Sequence, residues 1–320
     1  MTTLQQIELT CPVCETRFRS QAVVATNSFG GKRTDFHERA AGTQPLPYLV
    51  HCCARCGYAG SEKDFTDEAE ITPTVREHVW NELAPSLHRS LQWHRTHGTS
   101  HGTGTHGAHG GSGSQTPAHG TPATPGTPRA GGLLGGLLGG SGSGSTNGRS
   151  GETANSANAS NSASNSANAS NSAASAPGAS SSTSSSSAVA PMVAVPGSEK
   201  YEAAAKVAEW AGAEPRQVAD LLLRAAWCCV DEGDVEAERY FRRKAAWAFE
   251  QALSAYDGVA REERAVLTYL VGELWRRAGD GKAARQWFEQ VPHELTDAGS
   301  QQWVLDAARQ QKDCPREWFG

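Results

Sequence analysis

The middle of this 320-residue chain lacks what a folded domain requires. No aromatic residue occurs between Trp93 and Tyr201, and residues 94–197 consist almost entirely of Gly, Ser, Thr, Ala, Asn, His and Pro. A segment of this composition cannot bury enough apolar surface to offset the entropy that ordering would cost. The sequence therefore predicts a multi-part chain in which residues 1–93 and 198–320 fold and residues 94–197 form a disordered low-complexity linker.

The chain also has little that would place it in or across a membrane. Its first ten residues, MTTLQQIELT, lack the positive charge and the apolar run of a secretory signal. The apolar stretch GGLLGGLLGG holds four leucines, far short of the ~20 apolar residues that a spanning helix needs. We therefore expect a cytoplasmic protein with no membrane partner.

An excess of positive charge is absent from both folded parts. Residues 1–93 carry 9 Lys and Arg against 11 Asp and Glu, and residues 198–320 carry 17 against 22. A protein that binds phosphate backbones would normally have a basic excess. Basic residues do cluster at 242–244 and at 276–277, but glutamates lie nearby, so both clusters are predicted to be solvated helix faces.

Catalytic motifs are lacking as well. The sequence contains no H-E-x-x-H, no P-loop and no dinucleotide-binding fingerprint. An enzyme would have to assemble its site from residues that lie far apart in the chain. The absence of these motifs favours a protein that is not an enzyme. An enzyme with an unrecognised site stays an alternative.

Two cysteine pairs at metal-ligand spacing stand out among the eight cysteines. Cys11 and Cys14 form one C-x-x-C pair, and Cys53 and Cys56, followed by Gly57, form the other. A two-residue gap lets both thiolates of a tight turn reach one ion, and two such turns supply a tetrahedral shell. Strand-like alternation around the pairs is typical of a zinc ribbon. We predict one structural Zn²⁺ with no open position for catalysis.

Other ligands and roles stay open around this site. His51 and Cys52 adjoin the second pair, and Cys52 is the alternative ligand if the register shifts by one residue. A redox pair is the alternative to zinc, although the thioredoxin-like setting of a lone C-x-x-C before a helix is absent. Six histidines between residues 94 and 119 either bind metal loosely or reflect composition alone.

A helix is predicted to follow the ribbon. Thr72 and Pro73 are typical of a cap and a first helical residue, and apolar residues then recur at helical spacing to about Trp93. Pro85 lies inside this pattern and is expected to kink or split the helix.

Residues 198–320 read as helical throughout. Gly-Asp pairs at 233–234 and 279–280 indicate the end of one helix and the cap of the next. The predicted helices are 199–211, 215–231, 234–256, 260–278, 281–291 and 297–312.

An internal repeat indicates a tetratricopeptide-like arrangement of these helices. Small and large residues recur at offsets 0, 3, 12 and 16, where small residues let paired helices approach and large ones fill the space beside them. The repeat spacing is 47 residues rather than the usual 34, and a plain six-helix bundle is the alternative. The repeated positions are Ala225, Cys228, Ala237 and Phe241, then Gly272, Trp275, Ala284 and Phe288.

Five tryptophans of this part carry specific expectations. Trp227, Trp247 and Trp275 lie on apolar helix faces and are predicted to be core residues. Trp287 and Trp303 are candidate partner-binding residues that would line a groove.

Both folded parts resemble a bacterial family catalogued as a domain of unknown function, number 2225. The resemblance lies in CPVC with Phe18 after it, in TDFHERA…QPLPYLV before CARCGYAG, and in segments such as ADLLLRAAWCCVDEGD and LTYLVGELWRRAGD. It covers about two thirds of the chain. It implies a zinc-ribbon-like front and a tetratricopeptide-like back with no established activity, and it supports the same four cysteines as metal ligands. The long linker and Cys52 depart from the family pattern.

These features favour an uncharacterised zinc-binding protein that acts as a protein-interaction adaptor through its helical repeat. The alternative is a nucleic-acid-associated zinc-ribbon protein in which the helical part is a recruiter. An enzyme with an unrecognised site is the second alternative.

Overall fold

A hairpin of two antiparallel strands begins the chain. Strand β1 spans Thr3–Thr10 and strand β2 spans Arg17–Ala25, with Thr10 opposite Arg17, so the first cysteine pair lies in their connection. This computed structural model describes residues 1–66, 70–97, 189–190, 192–255, 258–297 and 299–319. Most of the predicted linker, residues 98–188 with the distal histidines, lies outside the described residues.

A second, shorter hairpin carries the second cysteine pair. Strand β3 spans His51–Cys52 and strand β4 spans Ala59–Gly60, with His51 opposite Gly60. Each C-x-x-C turn therefore connects two antiparallel strands. The prediction of a small β part at the front of a mainly α chain is confirmed.

The helix that follows the two hairpins begins at Pro73, directly after the predicted cap Thr72, and continues past Pro85. Helix α1 spans Pro73–His78, and the Thr72 hydroxyl accepts the N–H of Val75 at 3.3 Å. Residues Val79–Leu83 form a wider π-helical turn, and helix α2 continues over Ala84–His97. The wide turn lies directly before the proline, whose missing N–H leaves an acceptor in the preceding turn without its usual partner. We call residues 1–97 the front part.

The helical part, residues 197–319, begins its helices with recognisable caps. The side chains of Asp234 and Asp280 accept backbone N–H groups three residues later, and Gly233 and Gly279 before them have positive φ. The six predicted helices are all present, with ends that differ by a few residues. They are α3 Gly197–Trp210, α4 Pro215–Glu232, α5 Val235–Ser254, α6 Arg264–Ala278, α7 Gly281–Gln290 and α8 Gln302–Asp313.

Each of these helices packs on the next one in the chain. Helices α6 and α7 approach closely, since a Cβ added at Gly272 would lie 2.7 Å from the Phe288 ring. Interiors are close-packed, so this contact leaves no space for a larger side chain.

The front part and the helical part belong to one compact unit. Helix α3 packs against strand β4, and Ala203, Val207 and Trp210 pack on the apolar core around the cysteines. The N–H of Ala190 donates to the Arg17 carbonyl at 2.8 Å. Within the described ranges, no helix has the length and apolar character to cross a bilayer.

Two sequence expectations about α5 are wrong. Trp247, predicted to be a core residue, is 64% exposed, whereas Arg242, predicted to be on a solvated face, is completely buried. The buried face of α5 is set by Phe241, Ala245 and Phe249, and Arg242 borders that stripe while Trp247 does not. Trp227 is buried as predicted, and Trp275 is half-buried.

Candidate metal centre and the docking of the front part

The four predicted cysteines meet at one point. The sulfur atoms of Cys11, Cys14, Cys53 and Cys56 all lie within 4.8 Å of one another. The closest pairs join the two turns, with 3.6 Å between the sulfurs of Cys11 and Cys56 and 3.5 Å between those of Cys14 and Cys53. A tetrahedral ion with metal–sulfur bonds near 2.3 Å requires sulfurs about 3.8 Å apart. This cluster can hold one metal ion.

The two cysteine turns have the same hydrogen-bond pattern. In the first, the N–H of Cys11 donates to the Thr16 carbonyl at 3.0 Å and that of Glu15 donates to the Cys11 carbonyl at 2.8 Å. In the second, the N–H of Cys53 donates to the Tyr58 carbonyl at 2.8 Å and that of Gly57 to the Cys53 carbonyl at 2.9 Å. The repeated geometry presents both thiols of each turn to the same side.

The residue after each turn adopts positive φ. Glu15 has φ +59° and Gly57 has φ +77°. A non-glycine residue in this region is strained by about 1–2 kcal/mol, so the first turn carries a strain that the second avoids. Gly57 is also confined, since an added Cβ would lie 3.0 Å from the Leu83 carbonyl oxygen.

The thiols of the cluster differ in acidity because each one acts on its neighbours. Contact with Cys11 lowers the pKa of Cys14, and contact with Cys14 raises the pKa of Cys11. Four thiolates this close repel one another unless a cation lies between them. The cluster therefore suits a bound cation better than four free thiols, and no disulfide joins the described cysteines.

The two neighbouring candidates, His51 and Cys52, do not belong to the cluster. The His51 Nδ1 lies 2.8 Å from the Ser20 hydroxyl, and burial lowers the pKa of the imidazole to about 4. Burial raises the pKa of the Cys52 thiol to about 12. Cys53, not Cys52, points at the other thiols.

An arginine that the sequence reasoning missed supports the first turn. The Arg76 guanidinium, on α1, donates to the carbonyl oxygens of Pro12 and Val13 inside the turn. The helix after the ribbon therefore helps to hold the metal turn in place.

The front part is fixed to the helices by residues 33–37, which we call the docking segment. Its Thr34 contacts α6 through three hydrogen bonds. The Tyr269 hydroxyl donates to the Thr34 carbonyl at 2.9 Å, the Thr34 hydroxyl donates to a Glu273 carboxylate oxygen at 2.5 Å, and Arg277 donates to that hydroxyl at 2.8 Å.

Asp35 of the docking segment lies in a fully buried charged site. One carboxylate oxygen lies 2.7 Å from Nη1 of Arg242 and accepts the indole N–H of Trp227 at 3.1 Å. Burial alone would raise the pKa of Asp35, but the guanidinium groups of Arg242 and Arg277 hold it below its usual value. The carboxylate is therefore ionised inside the protein.

The next two side chains place aromatic rings against the helices. Phe36 has φ +67°, and its ring is stacked on Phe319 at 5.9 Å between centroids. The His37 ring is stacked on Trp227 at 5.2 Å, and its Nε2 lies 3.4 Å from a carboxylate oxygen of Asp231. Backbone strain at a residue such as Phe36 persists only where surrounding contacts enforce it.

The two predicted partner-binding tryptophans have different surroundings. The Trp303 ring, on α8, lies 6.2 Å from the Phe36 ring and so faces the docking segment. Trp287, on α7, is half-buried. Neither residue belongs to the four-cysteine cluster.

The fold and the cysteine cluster define a protein in which four converging thiols, able to hold a metal ion, are docked on a bundle of helices. The family model for an uncharacterised protein conserved in bacteria, DUF2225, matches residues 4–106 and 180–314. The chain belongs to this family, as the sequence resemblance predicted. No curated protein and no solved structure matches the chain.

Proposed function

We propose that this protein is a zinc-binding, cytoplasmic protein-interaction adaptor, with Zn²⁺ holding the front part and a tetratricopeptide-like helical part binding a protein partner. The convergence of four sulfurs within 4.8 Å supports the metal role. An all-thiolate tetrahedral set is the ligand shell of structural zinc. A reducing compartment keeps such thiols available, which supports the cytoplasmic location.

The packing of α6 on α7 supports the tetratricopeptide-like part of the proposal. Gly272 and Ala284, two of the small residues of the repeat, lie where the two helices contact each other, and the Phe288 ring fills the space beside Gly272. Helical repeats of this kind bind peptides or helices on their surfaces. Trp287 and Trp303 are the proposed partner-binding residues.

Metal identity and ligands are tested by measuring metal per chain. Elemental analysis and native mass spectrometry of the full-length protein should give one Zn²⁺ per chain. Cys11→Ser and Cys56→Ser should release the ion and destabilise the front part, because metal binding is coupled to folding. Cys52→Ser and Cys314→Ser are the controls, since neither thiol is in the cluster. Full metal content in Cys11→Ser and Cys56→Ser would refute the ligand set.

The adaptor role is tested by affinity capture of the full-length protein with nuclease treatment. A stoichiometric protein partner that survives nuclease, and is lost with Trp287→Ala or Trp303→Ala, supports the adaptor. A partner that disappears with nuclease favours the nucleic-acid alternative instead. If the full-length protein captures no protein with or without nuclease, the adaptor proposal is contradicted.

A further inference from the structure

The outward face of α5 exposes aromatic and cationic side chains together. We define the α5 outer face as Arg239, Tyr240, Arg243 and Trp247, all of them exposed. Trp247 is 64% exposed and Tyr240 is 44% exposed. Residues 239, 243 and 247 follow one another at four-residue spacing, which places them along one side of the helix.

The charge of this face is one-sided. Between Arg239 and Trp247, every charged side chain exposed on α5 is cationic. In the part of the chain that the structure describes, Arg239 and Arg243 form no ion pair. The acidic residues of the same helix are committed elsewhere: Glu238 accepts from Arg242 at 2.8 Å, and Glu250 accepts the indole N–H of Trp275 at 2.6 Å. Only Glu236, in the first turn, is an exposed acid, and it bounds the face at that end.

The side chain of Tyr240 is held in one orientation by a neighbouring cation. The ammonium group of Lys244 lies 4.9 Å from the centroid of the Tyr240 ring, and its Nζ is also 3.2 Å from a Glu202 carboxylate oxygen on α3. A cation over the ring fixes the orientation of Tyr240. An ordered aromatic side chain loses less entropy when a partner covers it.

Tryptophan, tyrosine and arginine are the residue types that dominate the energy of protein–protein interfaces. We infer that the α5 outer face is the surface that binds an acidic peptide segment of a partner protein, with an apolar side chain of that segment packing on Trp247 and its carboxylates pairing with Arg239 and Arg243. This inference rests on the proposed adaptor function and names the surface and the chemistry of its partner.

A nucleic acid fits this face less well than an acidic peptide. The two guanidinium groups without ion pairs are few beside the several phosphate contacts that hold a protein on a nucleic-acid backbone. The helical part as a whole carries 17 Lys and Arg against 22 Asp and Glu, so the repulsion from its wider field grows with the number of negative charges on a partner and is largest for a polyphosphate. A short segment with a few carboxylates meets only the local positive charge.

The test uses the full-length protein and a labelled decapeptide that carries three Glu, one Phe and one Leu among Ser and Gly residues. Fluorescence anisotropy at low salt should show binding that weakens as salt rises. Trp247→Ala and Arg243→Glu should each weaken it about tenfold or more, in the range of interface hot spots. Because both side chains are exposed, these variants should fold as the wild type does, which circular dichroism checks.

The controls distinguish peptide binding at the α5 outer face from non-specific binding elsewhere on the protein. Trp93→Ala removes another exposed tryptophan, 56% exposed on α2, and should leave peptide binding unchanged. A peptide with Lys in place of the acids and a peptide without Phe and Leu should both bind more weakly than the acidic apolar peptide. Equal binding by wild type and Trp247→Ala would overturn the inference.

Two other outcomes would also overturn it. Binding of a ten-nucleotide RNA that is tighter than binding of the peptide, and lost with Arg243→Glu, would assign the face to nucleic acid. Self-association of the wild type that is lost with Trp247→Ala would make the face a contact between copies of the chain.

This experiment can fail separately from the adaptor proposal. A captured partner that depends on Trp287 or Trp303 but not on Trp247 would support the adaptor and remove this surface. Peptide binding that depends on Trp247, in a protein that captures no partner, would support the surface and contradict the adaptor role.

Discussion

Asp35 and Arg242 form an ion pair that is completely buried between the front part and α5, with 2.7 Å between a carboxylate oxygen and Nη1. Each charge would be strongly unfavourable there without the other. The pair joins residues from the two folded parts that lie 207 positions apart in sequence. The position of the front part is thus linked to the ionisation of one carboxylate.

Removing this carboxylate should destabilise the protein strongly. Asp35→Ala leaves Arg242 buried without its partner, and the expected loss is about 3–5 kcal/mol of unfolding free energy, measured by urea denaturation. The control is Glu8→Gln, which breaks a pair with Arg17 whose side chains are about half exposed and should cost less than about 1 kcal/mol. Equal losses in the two variants would contradict the finding that the buried pair holds the front part.

Substitutions at the two turn residues with positive φ, Glu15 and Gly57, should change the stability of the protein in opposite directions. Gly57→Ala introduces a Cβ into a left-handed residue and against the Leu83 carbonyl, so we expect a loss of at least about 1–2 kcal/mol and weaker metal binding. Glu15→Gly relieves strain at the equivalent position, and the entropy of glycine offsets part of the gain, so stability should stay equal or rise by up to about 1 kcal/mol. Thermal unfolding and competition with a chelator measure both effects.

Because α6 and α7 are in close contact, adding one methyl group between them should lower the unfolding free energy of the protein. Gly272→Ala places a Cβ 2.7 Å from the Phe288 ring and should cost about 1–3 kcal/mol through overpacking. Adding Phe288→Leu should recover part of the loss. Gly281→Ala is the matched control, because nothing lies within 4 Å of its added Cβ. If both alanine variants unfold at the same urea concentration, the helices do not approach as described.

Asp220, on α4, predicts how the stability of the protein depends on pH. Burial raises the pKa of its carboxyl to about 6, above the value near 3.9 of an unfolded chain. The folded protein therefore binds a proton that the unfolded chain lacks between these values, and the contribution of Asp220 to stability is lost as pH rises through about 6. Asp220→Asn keeps a neutral side chain at all pH values, so it should stabilise the protein at pH 7.5 by about 1–2 kcal/mol.

The difference between Asp220→Asn and wild type should shrink toward pH 4, because the wild-type carboxyl is then protonated as well. Urea denaturation at several pH values measures this difference. Any effect of pH on metal binding is common to both proteins and cancels when the two unfolding free energies are subtracted. Asp306→Asn is the control, since that side chain is 61% exposed. A constant difference across the range would show that Asp220 does not titrate as described.

The sequence predicted the local features and missed those that depend on distant residues. C-x-x-C spacing, Gly-Asp pairs and the Thr72 cap act within a few residues, so the grouping of the four cysteines and the positions of the helices could be predicted from the sequence. The burial of Arg242 could not, because its partner Asp35 comes from a turn in the front part. The same reason explains Trp247, whose apolar character indicated a core position although no other element of the described residues covers it.

The docking segment, RTDFH in the sequence, gave no sign of its role. Its signal is a buried aspartate beside an aromatic residue with positive φ, and both properties appear only when the helices surround them. Short polar-aromatic stretches are also common in exposed turns, so composition alone does not separate the two cases.

The contacts of Lys32 and the docking segment with residues 317–319 also set an order of events during synthesis. The N–H of Thr34 donates to the Glu317 carbonyl at 3.1 Å, and that of Phe319 donates to the Lys32 carbonyl at 3.2 Å. The four cysteines have all been made by residue 56, about 260 residues earlier. At ~5–20 residues per second, roughly 13–50 s pass between these points. The residues that could hold a metal ion are therefore complete well before these contacts can form, and the front part takes its final place only after translation has passed Phe319.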